Sequence, residues 1–77
     1  MKNQTDVYKL EADEIDNYLC SIAGEIFDQS NIEHLTPQKL GIVRINLITR
    51  RKEDDVVKNN FKELDNRLKE LIGIEVC

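Results

Sequence analysis

The stretch "LTPQKLGIVRINLITRRKEDD", residues 35–55, decides how this chain folds. Six large aliphatics (Leu40, Ile42, Val43, Ile45, Leu47 and Ile48) crowd nine positions inside it, while the chain around them is polar and acidic. Val43, Ile45 and Leu47, with Arg44 and Asn46 between them, fit the two-residue period of a strand. Thr36-Pro37 points the other way. A Thr side chain can accept a hydrogen bond from an early helical N–H, and Pro at the first helical position lacks only an N–H that has no partner there anyway. The start signal favours a helix. At 100° per residue, Leu40, Val43 and Leu47 then form one face and Ile42 and Ile45 another, with Ile48 between them. Such a helix must be covered on two sides, which one neighbouring helix cannot do.

C-terminal to it, Val57, Phe61, Leu64, Leu68 and Leu71 step by four, three, four and three, a heptad seam sustained over about two heptads. Glu63 and Arg67 have the spacing of a favourable helical ion pair. Gly73 is a stop signal, and Ile74 is placed to fold back as the hydrophobic contact of a Schellman motif. The joint "RRKEDD" puts Arg50, Arg51 and Lys52 where a helix C-terminus favours cations. It puts Glu53, Asp54 and Asp55 where the next N-terminus favours anions. With neither Gly nor Pro in the joint, one continuous helix over 37–72 stays open as an alternative.

N-terminal to it, Ala12, Ile15, Leu19, Ile22 and Ile26 recur at three and four residues, and Tyr18 and Phe27 widen the stripe. Gly24 inside this helix costs about 1 kcal/mol relative to Ala; it marks a close helix crossing or is simply tolerated. "DQSNIEHL" reads as a polar break, and residues 1–9 as a loose arm. The expectation is an all-α fold, a single three-helix domain over 10–77 with helices near 10–28, 37–51 and 54–72, assembled as a homodimeric bundle.

Composition bounds what such an object can do. At 77 residues, one domain buries only about 60% of the surface its unfolded chain exposes, so its stability is thin. A core of this size supplies roughly 3–5 kcal/mol, which small chains supplement with disulfides, metals or a partner subunit. The two cysteines suggest no bridge: Cys20 sits in an apolar periodic segment and reads as a core filler, and Cys77 is the last residue. With no secretory h-region, the chain reads as cytoplasmic and reduced. Residues 1–36 carry two lysines against eight carboxylates, and residues 37–77 nine basic residues against seven acids, so the net charge of −4 hides an acidic first half.

No catalytic, cofactor-binding or metal-binding residues suggest themselves. His34 is the only histidine and lies in a polar linker, no glycine-rich phosphate loop is present, and the cysteines and histidine lack metal-ligand spacing. The carboxylates of the first helix occupy an open face where nothing raises a pKa for acid–base work. An enzyme is not expected. A helix-turn-helix that binds DNA is conceivable through Arg44, Arg50, Arg51 and Lys52, but the net negative charge opposes a phosphate backbone. What remains is a protein acting by protein contact. Two isoleucines left exposed would forgo roughly 1.5–3 kcal/mol each, and a two-fold dimer restores that burial. The expected dimer interface is Ile42, Ile45, Phe61, Leu64 and Leu68, and the acidic face Asp13, Glu14, Asp16 and Glu25 is expected to meet a basic partner surface.

At "EIDNYL", "GEIFDQ" and "LTPQKL" the chain resembles the AriR-like family of small enterobacterial biofilm-development connector proteins. The resemblance rests on an Ile-x-x-Tyr-Leu element (Ile15, Tyr18, Leu19) and a Leu-Thr-x-x-x-Leu opening of the apolar helix (Leu35, Thr36, Leu40), loosely covering residues 14–72. It implies an all-helical dimer acting on a two-component response-regulator pathway by contact rather than catalysis. A phage- or plasmid-encoded inhibitor of a host or defence protein is the competing class.

Overall fold

The computed structural model describes residues 9–73. Three α-helices, α1 (Ala12–Phe27), α2 (Pro37–Arg50) and α3 (Asp55–Ile72), are joined by a linker carrying a 3₁₀ turn (Ile32–His34) and by a short turn at 51–54. No strand occurs among the described residues. The expected arm falls, but for Lys9, outside the described residues, as do Ile74 and Cys77.

Each helix begins where a side chain can take up an N–H that has no intrahelical partner. Thr36 Oγ1 accepts from the Lys39 N–H at 3.3 Å, with Pro37 in the first turn. Asp54 Oδ1 accepts from the Val56 and Val57 N–H groups at 2.9 and 3.4 Å. The Glu11 N–H donates to Glu14 Oε1 at 3.0 Å, part of a reciprocal capping box at the start of α1. Asp54 settles the question of a continuous helix: its extended backbone (φ −105°, ψ 115°) breaks the chain between α2 and α3.

Across that turn, α2 and α3 run antiparallel. Arg51 stacks on the Phe61 ring at 4.4 Å, and two turns back along α2, Arg44 meets Asp65 one turn further along α3. α1 lies across this hairpin and touches both arms. The Leu10 N–H just before it donates to Asn60 of α3 at 2.9 Å, Tyr18 reaches Asp54 at the turn, and Glu25 pairs with Arg50 of α2.

The fully enclosed core is Leu19, Ile22 and Ala23 of α1, Leu40, Val43 and Leu47 of α2, and Val57, Leu64 and Leu68 of α3. Ile15, Ile26, Phe61 and Leu71 of the expected stripes pack against it half-buried, whereas Ala12 is exposed in the first turn. The polar break departs from expectation, because it supplies Ile32 and Leu35 to the core. Ile32 is drawn in by the turn that Asn31 caps, and its N–H donates to Cys20 Sγ at 3.2 Å. Cys20 therefore lines the core edge as a hydrogen-bonded thiol.

Gly24 has a cause other than helix crossing. The chain leaves α1 through Asp28 in the left-handed region (φ 60°), whose N–H donates to the Gly24 carbonyl at 2.8 Å. A Cβ on Gly24 would stand 3.0 Å from the backbone oxygen of Gln29. Asp28 also puts a carboxylate at the negative end of the helix. Asp28→Gly relieves both the left-handed strain and that charge, and is expected to raise stability by about 1 kcal/mol. Chemical denaturation reads the gain, and an unchanged midpoint would show the turn to be unstrained.

Candidate interaction surface

Two of the five expected interface residues, Leu64 and Leu68, are 0% exposed within the single chain, and Phe61 is half-buried under Arg51. The heptad seam closes the chain's own core and leaves Leu64 and Leu68 nothing to offer a second copy. Ile42 and Ile45 behave differently. They are 43% and 63% exposed, Ile48 beside them is 38% exposed, and these three are the exposed large hydrophobics among the described residues. All lie on the outer face of α2, turned away from Leu40, Val43 and Leu47. Asn46 and Thr49 on the same face donate to the carbonyls of Ile42 and Ile45, at 3.2 and 3.1 Å. Their polar groups thus fold back onto the helix itself.

The acidic face of α1 is largely engaged within the chain. Arg67 donates to both oxygens of Asp16, at 2.8 and 3.1 Å, and to Glu33 at 2.8 Å, with Glu70 at 3.7 Å. Arg67 thus turns to Asp16 and not to Glu63, because α1 lies within its reach. Glu25 pairs with Arg50 and Glu14 takes part in the capping box. Asp13 stands exposed in the first turn of α1, where the helix N-terminus favours an anion. Of the four carboxylates expected to face a partner, Asp16 and Glu25 already hold arginines of this chain.

On the α3 side of the isoleucines the surface is cationic. Arg44 Nε donates to Asp65 Oδ1 at 2.5 Å and Lys69 Nζ lies 3.4 Å from the other oxygen. Burial pushes the Asp65 carboxyl upward, but Arg44 and Lys69 outweigh it and hold the pKa below its usual value. Lys58, Lys62, Asp65 and Lys69 step by four, three and four along α3, a lane that borders α2. Lys58 and Lys62 are exposed.

At the hairpin turn, Tyr18 OH donates to Asp54 Oδ2 at 2.5 Å. Burial, reinforced by the Asp54 hydrogen bond and charge, raises the Tyr18 pKa to about 12, against a smaller opposing effect of Arg50. Beside it, Arg50, Glu53, Asp54 and Asp55 line an open depression of about 570 Å³, a charged hollow rather than an apolar pocket. Among the described residues, no group of three or more His, Cys, Asp or Glu is placed to hold a metal ion, and no helix is long and apolar enough to cross a membrane.

The polar contacts that tie the helices together were hidden in the sequence. Asn60, 2% exposed, joins the chain before α1 to α3 by accepting from Leu10, and donates to the Val56 carbonyl at 2.7 Å. An Asn between Val57 and Leu64 on the buried side of the wheel was the available signal. No family model, curated protein or solved structure matches this chain.

Proposed function

We propose that this chain is a small non-enzymatic regulatory protein of the reducing cytoplasm, a connector or inhibitor that acts by protein–protein contact and is assembled as a homodimer through the outer face of α2. One observation carries the reading: the exposed large hydrophobics among the described residues fall together on that single helix face. A contiguous apolar patch rimmed by polar residues is the mark of an interaction site, and a two-fold axis through it lets one patch satisfy two copies. The resemblance to the AriR-like connectors supports the same reading, although Leu19, Leu35 and Leu40, which carry part of it, are core residues here.

Because Ile45 is 63% exposed in the single chain, Ile45→Glu is expected to yield a folded monomer where the unaltered chain sediments as a dimer at micromolar concentration. A monomeric unaltered chain whose stability does not depend on concentration would overturn the dimer. Direct DNA binding is the second reading, supported by the exposed Lys58 and Lys62 lane. It predicts retention of a labelled duplex at physiological salt, falling steeply as salt rises.

A further inference from the structure

The outer surface of the α2–α3 hairpin is layered. Gly41, Ile45, Ile48 and Lys52 step by four, three and four to form an outer lane on α2, and nothing lies within 4 Å of where a Cβ on Gly41 would stand. Beside it run Arg44 and Arg51, which reach across to Asp65 and Phe61. Beyond them lies the Lys58, Lys62, Asp65, Lys69 lane of α3. The strip thus gathers six basic side chains around Asp65, with the exposed Asp55 at its turn end, in a chain whose net charge is −4. Its apolar lane is widened by the aliphatic stems of those lysines and arginines.

We infer that this strip is built to receive an acidic amphipathic helix of a partner protein, which competes with the second copy for the α2 face. The inference rests on the reading of that face as a docking surface and names the chemistry of what docks. A two-fold dimer that packs α2 antiparallel to its copy sets the basic α3-side borders against each other, which costs affinity. A helix with leucines along one stripe and glutamates beside it fills the apolar lane and neutralises the border, the helix-in-groove mode of recognition. A phosphate backbone would meet the lysines but leave the isoleucines uncovered. The homodimer is then the resting form, and the acidic partner displaces it.

The test uses the full chain and a labelled helical peptide with leucines at heptad a and d positions and glutamates elsewhere; its lysine counterpart is the control. Fluorescence anisotropy is expected to show binding of the glutamate peptide that weakens as salt rises, and no binding of the lysine peptide. Ile45→Glu should abolish the binding. Joint Lys58→Glu and Lys62→Glu should weaken it about tenfold at low salt, with circular dichroism showing both variants folded. Sedimentation should show dimer converting to a one-to-one complex. Equal binding of both peptides, no binding of either, or capture of anionic vesicles or duplex DNA in place of the peptide would overturn the inference. A monomer that binds the glutamate peptide would remove the homodimer and keep the inference; a dimer that ignores the peptide would do the reverse.

Discussion

Leu64→Ala is expected to leave little folded protein at 25 °C. Leu64 is 0% exposed, on the face of α3 turned to Leu19, Leu47 and their neighbours, and truncating such a leucine costs roughly 2.7–5 kcal/mol once the residual cavity is included. A core of this size supplies about 3–5 kcal/mol in all, so one substitution consumes nearly the whole margin. Urea titration followed by circular dichroism should show a lost or strongly displaced transition at every protein concentration. A folded monomer with a near-normal midpoint would return Leu64 to an interface role. The contrast with Ile45→Glu is direct, since a buried leucine and an exposed isoleucine on adjacent helices give opposite outcomes.

Asp54→Ala is expected to cost about 2–3 kcal/mol and to change how stability depends on pH. The loss of the α3 cap accounts for about 1 kcal/mol or more, and the loss of the Tyr18 hydrogen bond to a charged acceptor for a further 1–2 kcal/mol. The Tyr18 bond does most to hold the Asp54 carboxyl below its usual pKa, against burial, with the Val56 and Val57 N–H groups and Arg50 assisting. A depressed carboxylate contributes stability above its unfolded value and loses it as the pH falls through the folded one. Tyr18 works at the other end: its pKa of about 12 lies above the ordinary 10, so its contribution is complete below pH 10 and fades between 10 and 12. Thermal unfolding from pH 2 to pH 12 should therefore give a plateau with two falling arms. Asp54→Ala should make both arms shallower, leaving an acid slope from Asp65 beside Arg44 and Lys69 and an alkaline slope from the burial of Tyr18. An unaltered profile would show that the pair contributes nothing.

The helices were legible because their signals are local. Thr36-Pro37, the seam from Val57 to Leu71 and the stop at Gly73 each act within a turn or two, and each recurs in the structure. The side-chain pairing was not, because it depends on how α1 crosses the hairpin. Arg67 has Glu63 one turn away along the sequence, but Asp16 and Glu33 lie opposite it in space. The heptad seam of α3 fits an intermolecular and an intramolecular partner equally well, so Leu64 and Leu68 carried no mark of which would cover them. Ile42 and Ile45 did carry one, since a helix apolar on two faces outruns what two neighbours can bury.

The fastening of α1 has a kinetic consequence. The turn from Arg51 to Asp54 closes the α2–α3 hairpin over very few residues. By contrast, α1 is held by hydrogen bonds that span 36, 50 and 51 positions of the chain, at Tyr18–Asp54, Leu10–Asn60 and Asp16–Arg67. Closing the longer loops costs entropy that the hairpin does not incur. The hairpin is therefore expected to form first and α1 to dock last, with opening of the native state in the reverse order. Amide protons of α1 should exchange through partial opening while those of α2 and α3 wait for global unfolding. Such an opening would bare the inner side of the hairpin, so the chain's least protected moment exposes the surface that α1 normally covers.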